Sequence, residues 1–447
     1  MYNFKVDRTQ YPIGQGGFHH TQIHCWHEEP GFSVVYDCGG SNETHRKDVI
    51  AAFADERPRE HDWLVISHLD LDHISGVPQL HASKQTFANV ILPHLKAKER
   101  QKYFDWMVFV ALAQGRDADV IQEGITTAIG LYKGTFGRPV MIIHGPTDGP
   151  GDEQQQAPAL SLPATVREVL RTAKEGTTLG DGTSFTLAKV DWQFRFYSRE
   201  WDSAKASVIW NLTVLNALKL LIKNLGKGGS TGIKSWKGEV NKLLNTSVSE
   251  ADCDAALEQV RTGEKAKRGM TLKALIGALY KLTELEHYNS ASLCMYSGPR
   301  ERGNDYGRFS FARQVHGLPD WETPRLQPVQ MTRSVGWLGT GDMHFPDQAV
   351  VTDFASHFLA ELPRVSTILV PHHGSRHNYA TDGISPLLSL MTCFSLGVRL
   401  FIAPAKRSVY GHPHEEVESA LSRCDVLQVV SESALTQVDE SITNVWR

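Results

Sequence analysis

The densest group of metal-binding residue types in the chain lies in one short loop. His68, Asp70, Asp72 and His73 follow directly after the apolar run 63–66, which is typical of a buried strand. Crowded carboxylates repel each other, and imidazoles buried beside them lose hydration. A divalent cation removes both penalties, because neutral imidazole and carboxylate are its ordinary ligands. The spacing H-x-D-x-D-H therefore predicts a metal-binding loop, and the alternative is a solvated surface turn.

This loop resembles the signature of the metallo-β-lactamase-fold hydrolases, which usually reads H-x-H-x-D-H. The H-x-D-x-D-H form is similar to that of the hydrolase domain of the competence channel ComEC. The resemblance implies an α/β fold, the αββα sandwich, with two divalent metal ions and hydrolysis by an activated water. Asp70 stands where most of the superfamily has a second histidine. Because an oxygen ligand hardens the site, we expect Zn²⁺ or Mn²⁺, with Mg²⁺ as a further candidate.

Two other strand ends carry the same resemblance. Asp37 closes the apolar run 32–36 and matches the aspartate that braces the histidine loop, where a carboxylate can orient a ligand imidazole. The alternative for Asp37 is an ordinary turn residue. Residues 337–342, W-L-G-T-G-D, resemble the strand end whose aspartate bridges both metals, here Asp342. Gly341 is expected to let the backbone approach the metals closely.

Two histidine motifs complete the pattern. Residues 368–375 resemble the V-P-H-H-G-S motif, in which His372 or His373 should ligate the second metal. The sequence leaves the choice open, because adjacent side chains at a strand end usually point opposite ways. Residues 410–414 resemble the Y-G-H-P-H motif, whose His412 could be a ligand, a proton donor or a substrate contact.

The predicted site combines these positions. The third ligand of the first metal stays open: His287 lies close to the expected place, but the match there is to Asn289 and Ser290. The candidate metal ligands are His68, Asp70, Asp72, His73, Asp342, His372 and His373; the catalytic candidates are Asp72, His373 and His412; the substrate contacts are Ser375, Arg376, Lys219 and Lys223.

The N-terminal segment contains a glycine-rich turn, G-Q-G-G at 14–17. We interpret it as a hairpin turn, because it lacks the lysine and the following helix of a phosphate loop. The nearby histidines at 19, 20 and 24 are expected to be structural or exposed rather than ligands.

Net charge, cysteine content and hydropathy restrict the partners and the location that we expect for this protein. The 447 residues carry a formal net charge of −4, so a nucleic-acid surface would have to be local. The six cysteines are scattered without a C-x-x-C pair, which favours a reducing cytoplasm over a disulfide framework. The N-terminal residues lack the apolar segment of a secretory signal, and no run of about 18 apolar residues predicts a membrane span.

The chain length suggests a core with an insertion. We expect residues 1–95 and 289–447 to form the two halves of the core, and 96–288 to be a mostly helical insertion. Residues 203–237 contain six lysines and no acidic residue. That stretch could follow a phosphate backbone or be a solvated lysine face, and the insertion could also recruit a protein partner.

The resulting hypothesis is a metal-dependent hydrolase, most simply a phosphodiesterase acting on DNA or RNA. Two other reaction types stay open: a small-molecule phosphodiesterase resembling the phosphorylcholine esterases, and a lactone, thioester or β-lactam hydrolase. A metal-stabilised binding module without activity is the non-enzymatic alternative, because fold alone does not fix function.

Overall fold

The computed structural model describes most of the chain. The described residues are 4–25, 28–95, 97–113, 115–143, 160–162, 177–187, 190–199, 211–212, 215–216, 218, 233–260, 270–282, 291–300, 308–316, 330–332, 334–345, 347–376, 400–424 and 426–445.

Ten strands form the first sheet. In spatial order they are β13 (Gln330–Thr332), β12 (Arg308–Val315), β18 (Val438–Val445), β1 (Phe4–Gln10), β2 (Gly16–Cys25), β3 (Glu28–Gly40), β4 (Glu60–Val65), β5 (Thr86–Pro93), β6 (Arg138–Ile143) and β8 (Thr177–Gly180). Strand β1 pairs antiparallel with β2 and β18, whereas the strands from β3 to β8 run parallel. The sheet is therefore mixed, and two neighbouring interior strands, β18 and β1, come from opposite ends of the chain.

Eight strands form the second sheet. Their order is β17 (Val426–Val430), β16 (Leu400–Pro404), β15 (Val365–Leu369), β14 (Gly336–Gly339), β11 (Cys294–Pro299), β10 (Trp192–Tyr197), β9 (Ser184–Leu187) and β7 (Leu160–Leu162). Strands β14 to β17 run parallel, and β9, β10, β11 and β14 are joined by antiparallel pairs.

Helices cover both sheets. They are α1 (Glu43–Glu56), α2 (Leu71–Ile74), α3 (Val77–Ala82), α4 (Ala97–Ala113), α5 (Ala118–Lys133), α6 (Ile233–Leu244), α7 (Glu250–Val260), α8 (Leu272–Leu282), α9 (Gln348–His357), α10 (Arg407–Tyr410) and α11 (Glu415–Cys424). Short 3₁₀ turns occupy Leu362–Arg364, Pro371–Gly374 and Ala434–Thr436.

Side-chain alternation along the strands divides the interior into separate cores. In β3, Tyr36 faces the core between the two sheets, whereas Val35 packs with α1 residues such as Phe53. In β11, Met295 faces the other sheet, and Tyr296 packs with helices α9 and α11 on the outer face. Because each sheet is covered on both faces, the layers run helix, sheet, sheet, helix. The predicted α/β class and αββα sandwich are confirmed.

The predicted insertion contains both helices and strands. Helices α4 to α8 contribute to one apolar cluster on the outer face of the first sheet. Residues 138–197 contribute β6 to β10 to the two sheets. The boundaries at 95 and 288 stay a prediction, and the basic stretch 203–237 lies mostly outside the described residues.

Two expectations from composition can be compared with the structure. Cys25, Cys38, Cys253 and Cys294 are free thiols, and the side chains of the other two cysteines are not described. Of the helices in the described part of the chain, none is both long and apolar enough to cross a bilayer.

Candidate metal centre

The predicted metal ligands lie at the carboxyl ends of strands from both sheets. His68 follows β4, Asp342 follows β14, and His372 and His373 follow β15. The backbone N–H of Leu293 donates to the carbonyl of Ser67 at 2.7 Å and so joins the two sheets beside the site. Loops that leave parallel strands at one edge are a common location for ligand sites.

Asp37 holds the first histidine loop in place. Its Oδ1 accepts the backbone N–H of Ser67, and its Oδ2 accepts the Ser67 hydroxyl, each at 2.7 Å. Nδ1 of His73 donates to the same Oδ2 at 2.9 Å. Ser67 Oγ in turn lies 3.0 Å from Nδ1 of His68. Both loop histidines thus have Nδ1 engaged with an oxygen, which leaves Nε2 to face the site.

Asp70 occupies the N-cap position of α2 but does not cap it. An aspartate there normally accepts a backbone N–H of the first turn, yet the Asp70 side chain makes no capping hydrogen bond. Its Oδ2 lies 3.6 Å from Nε2 of His68. The carboxylate is therefore directed into the loop rather than along the helix.

Asp342 lies at the centre of the cluster, and its two oxygens face different histidines. Oδ2 lies 3.5 Å from Nε2 of His68 and 3.6 Å from Nε2 of His372. Oδ1 lies 3.3 Å from Nε2 of His73 and 3.6 Å from Nε2 of His373. The carboxylate is only 4% exposed, so it separates two groups of imidazoles within a nearly closed site.

The adjacent histidines reach Asp342 because of an unusual backbone. His372 has φ 48° and ψ 47°, and His373 has φ 55° and ψ 16°, both in the left-handed region that L-residues rarely adopt. Adjacent side chains in an extended strand would diverge, but this turn directs both rings toward one carboxylate. Both rings therefore face Asp342, and which of the two histidines ligates a metal stays a prediction.

The second histidine of the pair is held as firmly as the loop histidines. Nδ1 of His373 donates to the carbonyl of Pro404 at 2.7 Å. Its Nε2 lies 3.3 Å from Oδ2 of Asp72. His373 is 3% exposed and His372 is 24% exposed, so His372 is on the solvent side of the pair.

The donor atoms fit metal ions. The buried Nε2 atoms of His73 and His373, and Oδ1 of Asp70, make no hydrogen bond within the described part of the chain. Such buried polar atoms cost free energy unless a partner satisfies them. Imidazole nitrogens and carboxylate oxygens converging without other partners are what a divalent cation requires.

The electrostatics agree with this interpretation. Burial raises the pKa of Asp72, but the charges of His73 and His373 outweigh burial, so the net pKa lies well below its usual value. Burial and His73 lower the pKa of His68, but Asp342 and Asp70 raise it to a net value of about 9. A positive charge on His68 therefore compensates the buried carboxylates, and a bound cation would replace that charge.

Two overlapping groups could each hold an ion. His68, His73 and Asp342 form one group, and Asp72, His73 and His373 form the other; within each group the ligand atoms lie within 4.8 Å of one another.

Comparison with known proteins supports the same chemistry. Residues 26–158 match the model of the metallo-beta-lactamase superfamily. The matched segment contains Asp37 and the whole H-x-D-x-D-H loop, and the match implies a metal-dependent hydrolase. No curated protein matches the chain.

The metallo-beta-lactamase match ends before Asp342 and the later histidines. In the structure these residues nevertheless lie beside the loop at 68–73. His412 lies beside them: its ring centroid is 5.7 Å from that of His372 and 6.4 Å from that of His373. Burial, with His372 and His373 nearby, lowers the pKa of His412 to about 3.

The predicted substrate contacts lie in different environments. Ser375 is only 2% exposed, so its burial does not support the predicted contact with substrate. Arg376 is 56% exposed and pairs with Glu416 at 3.3 Å, outside the histidine cluster. Lys219 and Lys223 lie outside the described residues, as do His287, Asn289 and Ser290. The role of each stays a prediction.

Sequence reasoning missed two residues that organise the site. Ser67 bonds both Asp37 and His68, and only its position at the strand end pointed to it. Gln15 was interpreted as part of a hairpin turn, yet its side chain lies 3.4 Å from His412. No local pattern relates two residues so distant in sequence.

Proposed function

We propose that this chain is a two-metal phosphodiesterase that acts on nucleic acid. The observation that carries the proposal is the position of Asp342, whose two carboxylate oxygens face separate groups of imidazoles. A shared carboxylate between two ligand groups is the usual arrangement of two-metal hydrolases.

The distances support a division of the ligands. Nε2 of His68 and Nε2 of His372 face Oδ2 of Asp342, and Asp70 joins this group by its contact with His68. Nε2 of His73 and Nε2 of His373 face Oδ1 of Asp342, and Asp72 joins this group by its contact with His373. His372 would then supply the third protein ligand of the first metal that the sequence left open, and His373 would serve the second metal.

The residues of the chain prepare the reaction before substrate binds. When bound, two divalent cations supply Lewis acidity that activates a water and offsets the charge developing on a phosphoryl oxygen. Asp37, Ser67 and the Pro404 carbonyl fix the imidazole orientations, so little reorganisation is needed. His412 lies beside the ligands and can donate to a substrate oxygen.

The substrate class is argued from charge. Asp70 gives the site one more carboxylate than the usual superfamily loop, and hard oxygen ligands favour Mn²⁺ or Mg²⁺, the common partners of phosphate. Six lysines without an acidic residue in 203–237 support a polyanionic substrate over a neutral acyl compound.

The test is metal-dependent cleavage. Metal-stripped protein is supplied with Mn²⁺, Mg²⁺ or Zn²⁺ and incubated with single- and double-stranded DNA and RNA, with bis-p-nitrophenyl phosphate and with a lactone and a thioester. We expect cleavage of nucleic acid to return with metal and to fall at least about 100-fold in Asp72→Ala, because that change removes a ligand carboxylate.

Asp62→Asn provides the matched control, because Asp62 is a buried carboxylate that accepts the backbone N–H of Ser33 away from the cluster. Cleavage of small diesters alone would replace nucleic acid with a small-molecule phosphodiester. Activity confined to the lactone or thioester would overturn the phosphodiesterase proposal. Stoichiometric metal binding without any turnover would overturn the enzymatic proposal itself.

A further inference from the structure

The glycine-rich turn at 14–17 packs directly against the metal loop. A Cβ on Gly16 would collide with the backbone carbonyl oxygens of Asp72 and Gly39. Only glycine permits so close an approach. Gln15, between the glycines, is 4% exposed, and its carbonyl accepts the N–H of Ser41 at 3.0 Å. The turn is therefore part of the wall of the site.

The Gln15 amide has one orientation. The backbone N–H of Lys406 donates to Oε1 of Gln15 at 3.3 Å. Because a backbone N–H can only donate, the oxygen must face Lys406 and the NH₂ group must face the opposite side. Nε2 of Gln15 accordingly lies 3.4 Å from Nδ1 of His412.

This contact determines the tautomer of His412. An amide NH₂ has no acceptor, so Nδ1 of a neutral imidazole must accept from it and the ring proton must be at Nε2. Nε2 is not adjacent to Nδ1 in the imidazole ring, so the Nε2–H bond points away from Gln15. The ring itself lies beside His372 and His373, next to the proposed metal ligands.

We propose that Gln15 is a positioning residue that holds His412 as the Nε2–H tautomer, so that His412 donates a hydrogen bond to a phosphate oxygen of the substrate. This inference rests on the proposed phosphodiesterase function for the identity of the acceptor. The donor stays on His412 throughout, so no proton is transferred. Such a preorganised donor stabilises charge that develops on oxygen in the transition state.

The decisive variant is Gln15→Glu. A glutamate keeps the length of the side chain and can still accept from Lys406, but it presents an acceptor to Nδ1 and so favours the opposite tautomer. Gln85→Glu is the matched control. Gln85 is a second buried glutamine beside a histidine, with Oε1 2.7 Å from Nε2 of His61, and glutamate there keeps the acceptor.

The first readout is the tautomer itself. Zn²⁺-loaded protein labelled with ¹⁵N-histidine is measured by long-range ¹H–¹⁵N correlation, and the His412 signals are assigned by their loss in His412→Gln. We expect the proton at Nε2 in the wild type and in Gln85→Glu, and at Nδ1 in Gln15→Glu. A wild-type proton at Nδ1, or an unchanged tautomer in Gln15→Glu, would overturn the inference.

The second readout is kinetic. On the nucleic-acid substrate, Gln15→Glu should lower kcat about 100-fold, the lower end of the range for loss of one charge-stabilising donor, and change KM less than about twofold. The same change in a His412→Gln background should have no further effect. An equal loss in that background would show that Gln15 does not act through His412.

The two readouts separate this inference from the proposed function. If the wild type cleaves no phosphodiester, the proposed function and the phosphate acceptor fail together. The tautomer measurement needs no turnover, so it still decides whether Gln15 positions His412.

Discussion

Nδ1 of His73 donates to Oδ2 of Asp37 across 2.9 Å, and this contact links the strand that ends at residue 40 to the metal loop. The bond fixes the ring so that Nε2 faces Oδ1 of Asp342. Hydrogen bonds of this type raise the basicity of a metal-ligating histidine and hold its orientation.

Removal of this brace should weaken metal binding. We expect Asp37→Ala to raise the dissociation constant for Zn²⁺ or Mn²⁺ about 10- to 100-fold, measured by competition with a chromogenic chelator. Asp62→Asn, which affects a buried carboxylate away from the cluster, should bind metal like the wild type. Equal affinity in Asp37→Ala would show that the loop needs no brace.

Substitution of the paired histidines should remove different ions. We expect His372→Ala and His373→Ala each to reduce the bound metal from about two ions to about one, measured by elemental analysis after dialysis. In an Asp70→Ala background, His372→Ala should release no further metal, because Asp70 and His372 are ligands of the same ion. His373→Ala in that background should leave almost no metal. Two ions retained in either single variant would contradict the division.

Gly341 precedes Asp342 and has φ +52°, and a Cβ there would lie 2.6 Å from Cβ of Ser67. The predicted close approach is thus to the metal loop rather than only to a metal. We expect Gly341→Ala to lower the free energy of unfolding by about 1–3 kcal/mol, measured by denaturant titration. Gly277→Ala, in helix α8 with open space around it, should instead stabilise by about 0.5–1 kcal/mol. Equal effects would contradict the steric argument.

Buried histidines should make the fold sensitive to acid. His20 is 1% exposed and lies 3.0 Å from the Ser33 hydroxyl, and burial, followed by the charge of Arg57, lowers its pKa well below 6.5. Below pH 6.5, His20 binds a proton in the unfolded chain but stays neutral in the folded chain. The contribution of His20 to the free energy of unfolding is therefore fully present above pH 6.5. Below that pH the free energy of unfolding falls by up to about 1.4 kcal/mol per pH unit.

The measurement for this prediction is the free energy of unfolding between pH 8 and pH 5. We expect a shallower decrease in His20→Gln than in the wild type, and the same decrease as the wild type in His24→Gln, because His24 is half-exposed. A parallel decrease in His20→Gln would exclude His20 as a source of the acid sensitivity.

A buried ion pair joins the two ends of the chain. Glu440 in β18 is 4% exposed and contacts Arg8 in β1 at 3.4 Å and Arg313 in β12 at 2.9 Å. Glu440→Gln should destabilise by about 3–5 kcal/mol, because it leaves buried cations uncompensated. Thermal unfolding is the measurement, and Glu43→Gln, at an exposed pair with Lys47, should change little. A small effect at Glu440 would indicate that water solvates the pair.

Local sequence patterns predict several strands of this protein and the position of the metal loop. Period-2 alternation and apolar runs predicted strands such as β4 and β5, because burial on one or both faces imposes those patterns. The local spacing of His68, Asp70, Asp72 and His73 predicted a metal loop, since charge crowding within a few residues needs no tertiary contact to be recognised.

Which of these atoms come into contact depends on the packing of segments that are distant in sequence. The left-handed turn at His372 and His373 is a backbone choice imposed by packing, and residue type alone does not encode it. The contact between Gln15 and His412 joins segments from opposite ends of the chain, and it exists because β2 begins where β16 ends, at the same edge of the sandwich. Sequence therefore supplies the donors, and the fold selects their partners and the nitrogen each imidazole presents.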